Sequence, residues 1–104
     1  MGTPRFIPAP VIIDAVAAAL AISADDMRGK RVLSGLNAAR QIACLLFEEF
    51  TLCSMVEMGF ALGRKNDSAG RHLLLMARAR LQKDERFRAA LQQARQRLLQ
   101  VNHG

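Results

Sequence analysis

Ser54 to His72, SMVEMGFALGRKNDSAGRH, reads as a helix, a tight turn and a second helix with a basic start. Ser54 with Glu57 three residues on forms a capping box, in which the two residues satisfy each other's backbone N–H groups at a helix start. Met55, Met58 and Leu62 recur at helical spacing and make one apolar stripe. Gly63 stands where a helix end needs a residue tolerant of positive φ. Arg64 and Lys65 follow at once, and Asn66, Asp67 and Ser68 are each able to cap the next helix. Helix, short glycine turn and helix are the parts of a helix-turn-helix, whose second helix enters the DNA major groove N-terminus first. The same parts also make an ordinary hairpin in a helical bundle, and spacing alone leaves both open.

Outward from this hairpin the chain continues in helices. Ala and Leu dominate and β-branched runs are few, which favours helix over strand. Residues 1–9 read as a Pro-containing arm, 10–101 as one helical domain, and 102–104 as a frayed tail. Pro10 fits the first turn of a helix over Val11–Ala21, with Ile12, Val16, Ala19 and Leu20 inward. Ser23 and Asp26 make a second capping box for a short helix, Ala24–Arg28, closed by Gly29. Lys30 to Ser34 form a basic loop. A third helix runs from about Leu36 to Phe50 on the stripe Ala39, Ile42, Ala43, Leu46 and Phe50. The second helix of the hairpin runs from Ser68 to about Gln82, burying Leu73, Leu74, Met76, Ala77 and Leu81. Asp84 caps a last helix, Glu85 to about Val101, with Phe87, Leu91, Ala94 and Leu98 inward.

The formal net charge of +6 and a pI near 10.7 point to an anionic partner. Ten basic residues face three acidic ones after Gly63, against five and six before it, so the excess lies wholly in the second half. That distribution suits a nucleic-acid face, although a solvated Arg/Gln helix surface gives much of it too. Other chemistry finds no support. No phosphate-binding G-x-x-x-x-G-K-[ST] occurs, which argues against a bound nucleotide. Two histidines, His72 and His103, do not make a His-based metal cluster. Cys44 and Cys53 lack C-x-x-C spacing and read as small core hydrophobes. Phe6–Ile22 resembles a signal-peptide apolar region after Arg5, but Pro8, Pro10 and Asp14 interrupt it. It reads as a buried amphipathic helix of a cytoplasmic, non-enzymatic protein without cofactor or membrane span.

From about residue 11 to residue 98 the chain resembles the C-terminal DNA-binding domain of the bacterial replication initiator DnaA. Asp26-Met27 stands at the family's short acidic-ended helix, Lys30-Arg31 at its basic loop, and Ala39-Arg40-Gln41 at its Pro-Arg-Gln helix start. Ser54-Met55-Val56-Glu57-Met58-Gly59 follows the family's Ser-Leu-Pro-Glu-Ile-Gly, Ala61-Leu62-Gly63 its Ala-Phe-Gly, and Asp84 the Asp that starts its last helix. The resemblance implies an all-α, six-helix, Trp-repressor-like domain containing a helix-turn-helix. Carried over position by position, it implies DNA contacts at Lys30, Arg31, Arg40, Gln41, Ser54, Arg64, Lys65, Asn66, Asp67, Ser68, Arg71 and His72. Arg40 and Gln41 would touch the DNA backbone.

The departures fall where the family reads bases. Its recognition helix opens Arg-Asp-His-Thr-Thr-Val. With Arg64 as that Arg, Lys65, Asn66, Asp67 and Ser68 replace the next four residues. With Lys65 as that Arg, Asp67 replaces the His, Ser68 the first Thr, and His72 falls on a later family His. The base-reading His is lost in both registers. Val32 replaces the Arg the family sends into the minor groove, Ser34 and Ala38 replace two more basic positions, and Glu48-Glu49 opposes phosphate. These losses remove base contacts worth roughly 1–3 kcal/mol each but leave sequence-independent phosphate binding intact. The resemblance therefore implies duplex DNA as partner, with weak or altered preference, in the control of replication initiation. The alternative it implies is a protein adaptor of the HdaB type, bound to DnaA itself or to its regulator Hda, with localisation in the cytoplasm or on the nucleoid.

Overall fold

Helix α1 spans Ala9–Leu20, α2 Ala24–Arg28, α3 Ser34–Phe50, α4 Met55–Ala61, α5 Ala69–Leu81 and α6 Glu85–Val101. The computed structural model describes residues 6–101, so the readings of 1–5 as an arm and 102–104 as a tail lie outside the described residues. Six helices and no strand are present among the described residues.

Local chemistry sets most boundaries. Pro10 lies in the first turn of α1, and the Pro8 carbonyl accepts from the N–H groups of Val11 and Ile12, so the helix starts at Ala9, two residues before the expected Val11. Ser23 Oγ accepts from the Asp26 N–H at 3.2 Å, one half of the expected box. Asp84 Oδ1 accepts from the Phe87 N–H at 3.0 Å and starts α6. That bond and the neighbouring Arg80 guanidinium hold the Asp84 carboxyl below its usual pKa. α3 begins at Ser34, where the Leu33 carbonyl accepts from the Asn37 N–H at 2.9 Å; Ser34 and Gly35 carry no apolar signal of this.

α3 is the central helix and packs against α1, α2, α5 and α6, while α1 also lies along α6. Ile12, Ile13, Val16, Ile42, Leu46, Phe47, Leu74, Phe87 and Leu98 share one core, each large side chain contributing about 1.5–3 kcal/mol by burial. Ile7, Ile12, Ile13, Val16 and Ala17 thus supply core, and no helix among the described residues is long and apolar enough to cross a membrane.

Two expectations are corrected. Ile7, read as part of an arm, is buried and its N–H donates to the Phe50 carbonyl at 3.1 Å, so this residue packs on the core. Met76 is 44% exposed, because Leu73, Leu74 and Ala77 take the inward face of α5. Cys44 is buried as a core hydrophobe. Burial, then the charge of Glu48, pushes its thiol up to about 12.

Candidate nucleic-acid interface

The caps of the hairpin are built as its sequence predicts, but of its expected stripe only Met58 and Leu62 are buried, and Met55 is exposed. Ser54 Oγ accepts from the Glu57 N–H at 3.1 Å, and the Ser54 N–H donates to Glu57 Oε1 at 2.7 Å. At the other end of α4, Gly63 adopts φ 76°. Its N–H donates to the Phe60 carbonyl at 3.0 Å and the Arg64 N–H to the Gly59 carbonyl at 2.9 Å, the paired bonds of a Schellman turn. A Cβ on Gly63 would overlap the Arg28 carbonyl, so the turn lies directly on the end of α2. α4 and α5 cross backbone to backbone, with Gly70 so close to Met55 and Gly59 that a side chain there would collide with both. These close approaches set the direction of α5.

The turn caps itself. Asn66 Oδ1 accepts from the Ser68 N–H at 3.1 Å and the Ser68 hydroxyl at 3.0 Å, an Asx turn that consumes the acceptor of its amide. Ser68 occupies the N-cap position without capping through its side chain, and Asp67 is exposed.

Arg40 and Gln41 are the main correction. Arg40 is 1% exposed, because its guanidinium closes the C-terminal end of α2. Nε donates to the Met27 carbonyl at 2.8 Å, Nη2 to those of Asp26 at 2.9 Å and Gly29 at 3.1 Å, and Nη1 to Asn37 Oδ1 at 3.3 Å. Desolvation, then the nearby Arg64 charge, pulls its pKa below the usual arginine range, with Asp26 pulling the other way. Gln41 is 7% exposed and its Oε1 accepts from Arg80 at 3.2 Å. Both side chains are taken up by hydrogen bonds within the fold. Arg64 is half-buried and donates to the carbonyls of Leu62 and Gly29, so Gly29 receives guanidinium N–H groups from both α3 and the turn.

The exposed candidates do converge. Lys30, Lys65 and Asn66 line one recess, beside Gly63 and Arg64. It adjoins a groove of about 610 Å³ between the basic loop and α5, where Asn66, Ser68, Arg71 and His72 meet Val32, Asn37 and Leu75, over a floor of Arg40 and Arg64. Arg31 lines a different recess, with Ile22, Ser23 and Leu33. Ser54 is spent on its cap and lines neither of the two adjoining recesses. Asn37 and Leu75 were not singled out from sequence, although Leu75 stands three residues after His72 at helical spacing.

Glu48 and Glu49 tie α3 to its neighbours. Arg78 pairs with Glu48, and Arg95 donates to Glu49 at 2.9 and 3.0 Å. Arg80 pairs with Asp84 and lies over the Phe87 ring at 4.6 Å. Much of the positive second half therefore serves the fold. Lys30, Lys65 and Arg71 are exposed and form no ion pair among the described residues.

A family model described as the bacterial dnaA protein helix-turn-helix matches residues 10–72, from α1 into α5. The chain belongs to this family. It is also 31% identical over 90 residues to the chromosomal replication initiator protein DnaA of Aliarcobacter butzleri (strain RM4018). That similarity covers 86% of this chain and 20% of the relative, so the chain spans about a fifth of that initiator's length. The dnaA helix-turn-helix is a DNA-binding and not a catalytic unit, and its α4–turn–α5 is the part whose geometry is set by Ser54, Gly63 and Gly70.

Proposed function

We propose that this chain binds duplex DNA in the control of replication initiation, with α5 in the major groove and with weak or altered sequence preference compared with the initiator. The observation that carries it is the convergence of Lys30, Lys65 and Arg71 around the start of α5 in a dnaA helix-turn-helix. Three exposed cations neutralise about three phosphates, which gives a salt slope of roughly −2.7 and a loss of roughly 40-fold in affinity between about 50 and about 200 mM salt. Val32, 71% exposed where the family carries an Arg, supports loss of preference for the initiator's box.

A gel shift of duplexes with and without an initiator box, at both salt concentrations, tests the reading. We expect similar binding to both and a steep salt dependence, with Arg71→Ala lowering the slope by about one. Strong selection for the box would make the chain an ordinary reader of that box. No binding at the lower salt would favour the adaptor reading, in which the exposed Val32 and Leu33 of the basic loop meet DnaA or Hda.

A further inference from the structure

Resting on the DNA-binding reading above, we infer that sequence is read by His72 and Leu75, one turn further into α5 than the residues of the turn, and that the preferred site holds a purine beside a thymine. The turn residues are committed elsewhere. The Asn66 carbonyl oxygen holds Ser68, Arg64 holds the Gly29 and Leu62 carbonyls, and Asp67 carries a charge that phosphate repels.

The exposed ridge of α5 is then defined by its buried one. Gly70, Leu73, Leu74 and Ala77 face inward. With 3.6 residues per turn, the opposite line is Ser68, His72, Leu75 and Ala79, and all four are exposed. Arg71 stands to one side of this ridge, on the flank from which Arg78 reaches Glu48 of α3, so it suits the backbone rather than the floor of the groove.

The two central side chains have the chemistry to discriminate. The His72 imidazole makes no hydrogen bond among the described residues and lies exposed. Its N–H matches the N7 acceptor that both purines show in the major groove. Leu75 is 46% exposed in the same groove, and a thymine methyl gives it an apolar partner. His72 and Leu75 lie three residues apart, about 4.5 Å along α5, a separation within reach of adjacent base pairs stacked about 3.4 Å apart. Ala79, small and next along the ridge, lets the helix lie close.

The test selects duplexes from a random pool with the full chain, then replaces the purine of the selected site by its 7-deaza analogue or the thymine by deoxyuridine. Each change should weaken the natural chain by about three- to tenfold. His72→Ala should become indifferent to the 7-deaza change while still sensing the methyl, and Leu75→Ala should do the reverse. Both positions are exposed, so unchanged melting curves should accompany these losses. A selection that returns no motif, or penalties that persist in both variants, overturns this inference and leaves DNA binding standing. Absence of any duplex binding at low salt overturns both.

Discussion

Truncating Arg40 separates a folding role from a DNA-contacting one. In Arg40→Ala the Asp26 carbonyl keeps the Gly29 N–H at 3.1 Å and the Gly29 carbonyl keeps Arg64, but the Met27 carbonyl, in the buried end of α2, loses its donor. An orphaned buried acceptor costs about 1–3 kcal/mol. The two methylenes lost beyond Cβ add about 1.6 kcal/mol of packing. Relief of the desolvated guanidinium beside Arg64 offsets part of this, leaving a net loss of about 2–4 kcal/mol. In a domain of this size that lowers the melting temperature by roughly 10–30 °C. Arg40→Lys should recover little, because an ammonium does not reproduce the fork that reaches three carbonyls. The assay is thermal unfolding followed by circular dichroism, with a salt titration of DNA binding on the same proteins. A melting temperature within about 3 °C of the natural chain, together with a salt slope reduced by one, would refute the burial argument and return Arg40 to the phosphate-contacting set.

Gly63→Ala should destabilise by more than about 2 kcal/mol in urea unfolding at unchanged slope, since φ 76° and the Arg28 carbonyl both oppose a side chain there. Stability should fall as pH rises above the ordinary thiol value of 9.0, because the unfolded chain then loses the Cys44 proton that the fold retains up to about 12. The contribution is bounded by about 1.4 kcal/mol per pH unit, and Cys44→Ala, compared by melting across that range, should remove it. Replacing Glu48 and Glu49 by Gln should cost less than about 1 kcal/mol per ion pair, because both pairs are half-exposed. The same double variant releases Arg78 and Arg95 and should tighten low-salt DNA binding in a filter or gel titration.

Helices were legible because their signals are local. Capping at Ser54, the positive φ of Gly63 and the bounds of α2 and α6 all follow from residues within one turn. Tertiary contacts were not legible in the same way. Arg40 reads as a surface cation by type and by family role, yet it lies four residues after Leu36 and four before Cys44, on the buried side of α3. That spacing was the available signal, and the carbonyls that make such a burial tolerable belong to a different helix. Asn66 reads as a base reader and, slightly better, as a cap, and only its distance to Ser68 decides for the turn. The pairing of Glu48 and Glu49 with α5 and α6 spans 30 and 46 residues, beyond any periodicity argument.

The Gly29 carbonyl, held by one guanidinium from the central helix and another from the hairpin turn, bears on the entropy of association. Only residues 30–33 separate that anchor from the first turn of α3, and the Asx turn and glycine crossings already hold the start of α5. A loop that had to be ordered on the duplex would sacrifice about 1–2 kcal/mol for every residue fixed, enough to cancel a phosphate contact or two. On the proposed function, cations presented from a loop anchored at both ends and a capped helix start would keep more of a small electrostatic attraction as affinity than cations on a loop ordered only by the duplex.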